Sequence, residues 1–268
     1  MISRGKRNVL GVSVDVIDYE SAVEQIVEAA KAKRPYAVTA LAVHGVMTGA
    51  LDPEQRFRLN QFDLVVPDGQ PVRWALNLLH SAHLSERVYG PTLMLKLCER
   101  CAMEGLPIYL YGSSSEVLSK LRRRLQSSFA ALKIAGVQPS RFRRTTAEEK
   151  KEIVQEIRDS GARVVFAGLG CPRQEVWAYE YRNALSLPVV AVGAAFDFHA
   201  GTLPQAPSVL QNAGLEWAYR LSKEPRRLWR RYGLLNPLYV AMVTAQAAGL
   251  RHYDKNPGTQ PTHDMNYG

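Results

Sequence analysis

Short apolar runs alternate with amphipathic stretches along most of the chain. Runs typical of strands lie at residues 8–16, 36–42, 62–67, 107–111, 132–137, 163–167 and 188–192. Apolar positions recur at helical spacing over residues 19–33, 91–103, 116–129, 146–160 and 174–183. This alternation predicts an α/β fold, a Rossmann-like and mostly parallel sheet with helices on both faces.

The pattern changes at about Gly201, after which the chain is helical in spacing, basic and rich in aromatic residues. A polar stretch follows from Arg251. We therefore divide the chain into an α/β domain that carries the catalytic site (1–201), a helical appendage (202–250) and a polar tail (251–268). We expect the tail to be disordered.

The net positive charge of the chain indicates an anionic binding partner. The 268 residues include 34 Lys and Arg against 25 Asp and Glu, a formal net charge of +9, which favours a nucleic acid, an acidic lipid or a phosphorylated substrate. Much of the excess lies in residues 215–232, which hold the basic residues Arg220, Lys223, Arg226, Arg227, Arg230 and Arg231. Aromatic residues lie among them, as suits a membrane interface or single-stranded nucleic acid.

Composition excludes other classes of protein. With 46% hydrophobic and 22% charged residues, wholesale disorder is not expected. Three cysteines cannot form a disulfide framework, so we expect a reducing compartment. The basic start is not followed by an apolar signal-peptide core, and uninterrupted apolar runs of about 18 to 20 residues are missing, so neither secretion nor a spanning helix is expected.

Open α/β sheets bind ligands beyond the carboxyl ends of their strands, and four such ends carry suitable residues. The first is Asp68, which lies between two prolines in Val66-Pro67-Asp68-Gly69-Gln70-Pro71. A carboxylate fixed there can take a proton from a bound hydroxyl, and we expect it to be ionised at neutral pH without special tuning. The alternative is an aspartate that only stabilises its own turn.

The other three strand ends offer contacts for phosphate or sugar. Gly112 and Ser113 leave backbone N–H groups free to meet a phosphate, unless the serines merely cap the next helix. Gly168 and Gly170 allow close approach of a ligand, and Arg173 and Gln174 follow them. The last end carries Asp197, for which a structural and a functional role are equally open.

The sequence indicates neither a metal site nor a dinucleotide site. The patterns G-x-G-x-x-G, G-x-x-x-x-G-K-[ST] and D-x-D are missing. Cys98 and Cys101 resemble half of a zinc site, but no second pair completes it, so core packing is favoured. A bound diphosphate would have to be met by Arg, Lys and helix N-termini.

Four segments are informative when they are taken together: FDLVVPDGQPVRWA, ERVYGPTL, GLGCPRQEVW and VGAAFDFHAGTLPQAPSVLQNAGLEWAYRLSKEPRRLWRRY. In this order they resemble the WecG/TagA/CpsF family of bacterial glycosyltransferases, glycosyltransferase family 26. The resemblance runs from about Val9 to Asn236. The resemblance implies transfer of a sugar, with inversion and without a metal, from a nucleotide donor. That donor is commonly UDP-N-acetylmannosamine or its uronic acid. The acceptor is a sugar on an undecaprenyl-diphosphate carrier at the inner leaflet.

The resemblance also implies roles for individual residues. The family's proposed general base falls on Asp68, with Arg87 and Gln174 as further catalytic residues. The appendage that is thought to close the site and touch the membrane maps to Arg220, Arg226, Arg227, Arg230 and Arg231. From the strand ends, we expect donor binding at Gly112, Ser113, Gly168, Gly170 and Asp197, and Thr39 is the Thr kept from the family's T-x-N. Leu41 replaces the Asn of the family's T-x-N, so the donor sugar stays open between N-acetylmannosamine, its uronic acid and glucose.

We therefore expect a cytoplasmic glycosyltransferase of cell-surface polysaccharide or teichoic-acid-type biosynthesis, peripheral on the inner face of the membrane. Its partners would be the UDP-sugar, the lipid-linked acceptor and anionic lipid, without a cofactor, a metal or nucleic acid. Self-association stays open. Two other classes stay open, a nucleotide-binding oxidoreductase and a basic nucleic-acid-binding module.

Overall fold

The computed structural model describes residues 1–253 and 257–268, apart from the side chain of Arg231. Its strands are β1 (Ser3–Val9), β2 (Val12–Ile17), β3 (Tyr36–Leu41), β4 (Leu64–Pro67), β5 (Ile108–Gly112), β6 (Ile134–Gln138), β7 (Val164–Gly168) and β8 (Pro188–Ala191). The helices are α1 (Tyr19–Lys31), α2 (Val43–Leu51), α3 (Pro53–Asn60), α4 (Gln70–His80), α5 (Gly90–Glu104), α6 (Ser115–Ser128), α7 (Ala147–Asp159), α8 (Arg173–Leu185), α9 (Ala195–Ala200), α10 (Ser208–Asn212), α11 (Glu216–Lys223) and α12 (Pro225–Ala247).

Six strands form one parallel sheet in the order β4-β3-β8-β7-β5-β6. Their carboxyl ends therefore meet at a single edge, where the loops after β3, β4, β5, β7 and β8 converge. The chain builds β4 on one side of β3 and then crosses to β5 on the other side of the sheet. Ligands of open α/β sheets bind at such a change of direction. The predicted fold class is confirmed.

Alternate residues of the strands supply two hydrophobic cores, one on each face of the sheet. In β3, Ala37 and Leu41 face one core, while Val38 faces the other. The second core also holds Cys98 and Cys101, both fully buried, which confirms packing as their place in the fold. Because helices cover both faces, the strands read as continuous apolar runs rather than as alternating ones.

The first two strands differ from the sequence-based prediction of one run at residues 8–16. Leu10 and Gly11 adopt positive φ angles of 55° and 88°, and this turn folds β1 back on β2 as an antiparallel hairpin. The hairpin covers the outer side of β4, where the buried Asp15 carboxylate accepts a hydrogen bond from the Val65 amide at 2.8 Å.

The appendage is helical, as predicted, and half of it belongs to the core. In α12, Tyr239, Met242 and Val243 are buried in the same core as β3, and the Tyr239 hydroxyl donates to the Pro71 carbonyl at 3.1 Å. The division at residue 201 therefore stays a prediction. Among the described residues, no helix combines the length and apolar character needed to cross a membrane.

The polar tail differs from the expectation of disorder wherever the structure describes it; residues 254–256 lie outside the described part. The Thr259 amide donates to the Pro53 carbonyl at 3.0 Å. The Met265 and Asn266 amides donate to the Glu180 carboxylate at 2.6 and 3.0 Å. Sequence composition could not show this, because the partners are backbone groups and a carboxylate distant in sequence.

Candidate active site

A cavity of about 490 Å³ opens at the carboxyl edge of the sheet. Residues at or just after the carboxyl ends of all six parallel strands line it, together with side chains of α9 and α11. Eight of the predicted site residues line it: Asp68, Ser113, Gly168, Gly170, Gln174, Asp197, Arg220 and, on α12, Arg227. The size and shape fit a small polar ligand held across several strands.

Asp68 follows β4 and is positioned by the backbone on both sides. Its amide donates to the Leu41 carbonyl at 3.1 Å, and its Oδ1 accepts from the Gly90 amide at 2.6 Å. Burial raises the pKa of Asp68 to about 6, helped by the Glu216 carboxylate, against the opposing effects of Arg87 and Arg220. The expectation of an untuned carboxylate was wrong, because the side chain is partly desolvated rather than open to water.

Arg87 joins the sheet edge to the appendage. Its guanidinium donates to Glu216 Oε2 at 2.8 Å and to Gln211 Oε1 at 3.2 Å, and it lies 4.2 Å from the centre of the Tyr89 ring. Burial lowers the pKa of Arg87, but the Asp68 and Glu216 carboxylates outweigh burial and raise it. The arginine thus stays charged beside Asp68 while its Nη2 group binds side chains of α10 and α11.

Arg87 is not on the wall of the 490 Å³ cavity but lines two others. One, of about 90 Å³, is also lined by Asp68, Glu216 and Arg220. The second, of about 520 Å³, is lined by Lys96 and by residues of α10. Arg87 is therefore shared by these two cavities, and its partner Glu216 by the smaller one and the 490 Å³ cavity.

A buried polar cluster forms the floor beneath Gln174. The fully buried Glu175 carboxylate accepts from Thr39 Oγ1 at 3.0 Å and from Gln174 Nε2 at 2.9 Å. Burial raises the pKa of Glu175. Gln174 Oε1 is buried with no hydrogen-bond partner among the described residues, and the side chain lines the cavity. A buried unpaired acceptor of this kind is suited to a ligand hydroxyl or amide.

Thr39 therefore acts one layer below the cavity, since its hydroxyl orients Glu175 rather than reaching the wall. Gly112 is likewise not a lining residue: a Cβ there would come within 2.7 Å of the Gly168 carbonyl oxygen, so glycine lets β5 and β7 approach. Gly170, with φ of 76° and open space around it, presents backbone to the cavity. Asp197 accepts a hydrogen bond from Thr202 Oγ1 at 3.2 Å.

The predicted arginines of the appendage divide into two groups. Arg220 and Arg227 line the cavity, and Arg220 also lies over the Phe198 ring at 5.7 Å. Its Nε is buried without a hydrogen-bond partner in the described part of the chain. Arg226 and Arg230 are exposed on α12 outside the cavity. The Arg231 side chain lies outside the described residues.

Sequence reasoning missed Glu175, Glu216 and Tyr89 as parts of the site. Glu175 pairs with Thr39 across 136 residues, and Glu216 with Arg87 across 129. Local patterns carry no signal of such distant pairing. The one available signal was the presence of an acidic residue, Glu216, in a segment whose charged residues are mostly basic.

In a comparison with known protein families, residues 7–253 match the family described as Glycosyl transferase WecG/TagA/CpsF family. The matched range covers nearly the whole chain, including the sheet, the cavity and the helical appendage. It leaves out only the first residues of β1 and most of the polar tail. The chain therefore belongs to the WecG/TagA/CpsF family of glycosyltransferases, which act in cell-surface polysaccharide biosynthesis.

Proposed function

We propose that the protein is an inverting, metal-independent glycosyltransferase that uses a UDP-sugar. The sugar is a hexose of the N-acetylmannosamine, N-acetylmannosaminuronic acid or glucose type. The acceptor is a sugar on an undecaprenyl-diphosphate carrier. One observation carries the proposal: a carboxylate with a pKa near 6, Asp68, shares a cavity with the guanidinium of Arg220 at the carboxyl edge of the sheet.

Asp68 is the general base in this mechanism. The Gly90 amide occupies Oδ1, which leaves Oδ2 to accept the proton of the acceptor hydroxyl. As that proton moves, the acceptor oxygen bonds to the anomeric carbon from the face opposite UDP. The bond from the anomeric carbon to the diphosphate oxygen breaks in the same step. One displacement inverts the anomeric centre, and UDP leaves with the electron pair.

Guanidinium groups neutralise the departing diphosphate in our proposal. Arg220 has a buried Nε without a partner in the described chain, and Arg227 lies on the same wall. Planar guanidinium groups bind phosphate oxygens in pairs and stabilise charge that grows in the transition state. Arg87 acts differently: held by Glu216, it positions α11 and keeps a positive charge beside Asp68.

The donor would lie along the glycine-lined floor. Ser113, Gly168 and Gly170 border the cavity, and Gln174 offers its unpaired Oε1 to a sugar hydroxyl or amide. Asp197 would accept from a further hydroxyl. Thr39 and Gly112 support these groups from below, through Glu175 and Gly168.

The acceptor's lipid stays in the bilayer, so the enzyme must come to the cytoplasmic face of the membrane. Arg226 and Arg230 point away from the cavity, and exposed apolar residues accompany them on α12: Trp229, Leu234, Leu238 and Val240. Cationic and aromatic side chains suit an anionic headgroup layer. We expect binding to anionic vesicles that weakens as salt rises, in preference to oligonucleotides at the same ionic strength.

The deciding experiment is a screen of UDP-sugars for hydrolysis and for transfer to a lipid-diphosphate-linked acceptor. The Asp68→Asn variant should lose about 100- to 10,000-fold in rate. Asp159→Asn, an exposed carboxylate on α7, is the matched control and should keep full activity. Wild-type turnover by a folded Asp68→Asn protein would refute the assignment. Binding of nicotinamide or flavin instead of UDP would favour the oxidoreductase alternative.

A further inference from the structure

Phe142 stands out among the aromatic residues at the cavity. It lies in the loop after β6, lines the 490 Å³ cavity, and is 61% exposed. Its φ of 54° is in the left-handed region, where a bulky residue other than glycine is rarely found. Such a conformation persists only where neighbouring groups hold it, and it clusters at ligand-binding positions.

Ser140 holds Phe142 in this conformation. Ser140 is buried, and its Oγ accepts a hydrogen bond from the Phe142 amide at 3.0 Å. Its own amide donates to the Ser113 carbonyl at 3.0 Å, which ties the loop to the end of β5. The Ser140 hydroxyl then donates to the Gly268 carbonyl at 2.6 Å. The position of the ring thus depends on a residue from the polar tail.

Residues 264–268, the clamp segment, pair with this loop as a short antiparallel strand would. The Thr145 amide donates to the Asn266 carbonyl at 2.7 Å, and the Gly268 amide donates to the Arg143 carbonyl at 3.1 Å. The outer end of the segment is fixed by Glu180, through the two amide contacts described above, and by an ion pair of Asp264 with Lys150 at 2.8 Å. The clamp segment lies beyond residue 253, where the family match ends.

The position of the loop fits one end of a nucleotide sugar. Gly90, which binds Asp68, lies against Ala40 of β3 and the Val192 carbonyl after β8. The next strands in the sheet after β8 are β7 and then β5. Because neighbouring strands are about 4.8 Å apart, Ser113 at the end of β5 lies on the order of 10 Å from the end of β8. An anomeric carbon near Asp68 therefore places the base of an extended donor beside Ser113, Ser140 and Phe142.

We propose that the Phe142 ring stacks on the nucleobase of the donor, and that the clamp segment positions this ring. The inference rests on the proposed function, because it takes a nucleoside diphosphate sugar as the ligand. Phe142 would contact the substrate, while Ser140 and the clamp segment would act through Phe142. Base stacking on aromatic side chains tolerates any base, so the diphosphate and sugar contacts would supply the remaining specificity.

The first test separates base from diphosphate. Phe142→Ala should weaken binding of UDP by about 10-fold or more, since stacking contributes about 1–3 kcal/mol per base. Binding of inorganic pyrophosphate should stay within about twofold of wild type, and Phe142→Tyr should restore UDP affinity. Equal affinity of wild type and Phe142→Ala for UDP would overturn the stacking assignment, as would an equal loss for pyrophosphate.

The second test concerns the clamp segment. An added Cβ in Gly268→Ala would overlap Thr145 Cγ2, so this variant should release the segment. Hydrogen exchange at the Thr145 amide should then accelerate about 10-fold or more, and UDP affinity should fall as in Phe142→Ala with kcat little changed. Deletion of residues 264–268 should give the same result. Gly258→Ala is the matched control, since it disturbs the tail against Pro53, away from the loop.

The outcomes distinguish the clamp from the function on which it rests. If wild type binds UDP and both clamp variants bind it equally well, the positioning role is wrong and the proposed function stands. If wild type binds no nucleoside diphosphate, the proposed function fails and stacking falls with it. Hydrogen exchange then still tests whether the clamp segment holds the loop. Unchanged protection of the Thr145 amide after deletion of residues 264–268 would show that it does not.

Discussion

Replacing Asp68 by asparagine should stabilise the fold at neutral pH while it abolishes transfer. In the unfolded chain this carboxyl has its ordinary pKa of 3.8, whereas burial raises the pKa to about 6 in the folded protein. Between these values the folded state binds more protons than the unfolded state, so stability falls as pH rises. Above about pH 6 the free energy of unfolding stops falling, and the buried ionised carboxylate lowers it by a constant amount.

The difference of about two pH units corresponds to about 3 kcal/mol, since each unit is about 1.4 kcal/mol. Asparagine keeps an oxygen for the Gly90 amide but carries no charge to desolvate. We therefore expect Asp68→Asn to gain roughly 1–3 kcal/mol at pH 8, a rise in Tm of about 2–4 °C per kcal/mol. At pH 4.5 the gain should fall to about a third, because the folded wild type is mostly protonated there while the unfolded carboxyl is already mostly ionised.

The assay is denaturant unfolding of both proteins at pH 8 and pH 4.5, with Asp159→Asn as the control. The exposed Asp159 should change stability by no more than about 0.5 kcal/mol at either pH. A gain that is independent of pH, or a loss at pH 8, would refute the reasoning, because either result would mean that desolvation of the Asp68 charge is not the main cost.

Three other predictions concern activity. First, kcat/KM should fall about tenfold for each pH unit below about 6, because the base works only when Asp68 is ionised; a flat profile from pH 5 to 7 would contradict this. Second, Glu216→Gln should move the midpoint of that profile to lower pH, since the Glu216 charge raises the pKa of Asp68; an unchanged midpoint would show that the two charges do not interact, and a rise would contradict the sign of the effect. Third, Arg220→Ala should lower kcat about 100-fold, whereas the exposed Arg226→Ala should weaken only binding to anionic vesicles; equal effects on turnover would contradict the division of these arginines.

Much of the fold could be predicted from local patterns. Buried parallel strands are continuous apolar runs, and the Thr146 capping box marked the start of α7 as the structure has it. Helix α3 was assigned no element from the sequence, because only Gln55, Arg58 and Leu59 are buried on it and it has no apolar face. Its start does carry a local signal, since Asp52 caps the helix and Pro53 occupies its first turn, so a cap without an apolar face was not enough to predict a helix.

Part of the candidate site could also be predicted from local sequence patterns. Asp68, Gly168 and Asp197 lie at or after the carboxyl ends of β4, β7 and β8, and the carboxyl ends of parallel strands meet at one edge, so their convergence could be foreseen. The partner of Arg87 could not, because Glu216 lies on α11, 129 residues further along the chain, and local patterns do not show such a pairing. The raised pKa of Asp68 has the same origin, since burial is a property of the assembled fold.

The hairpin that covers β4 has a consequence for the behaviour of the protein in concentrated solution. β4 is the outermost strand of the sheet on its side, and its Val65 amide would otherwise be open to another chain. Exposed strand edges of this kind template intermolecular pairing. Asp15 accepts from that donor with its carboxylate, so β4, the strand that leads to Asp68, is shielded against pairing with another chain.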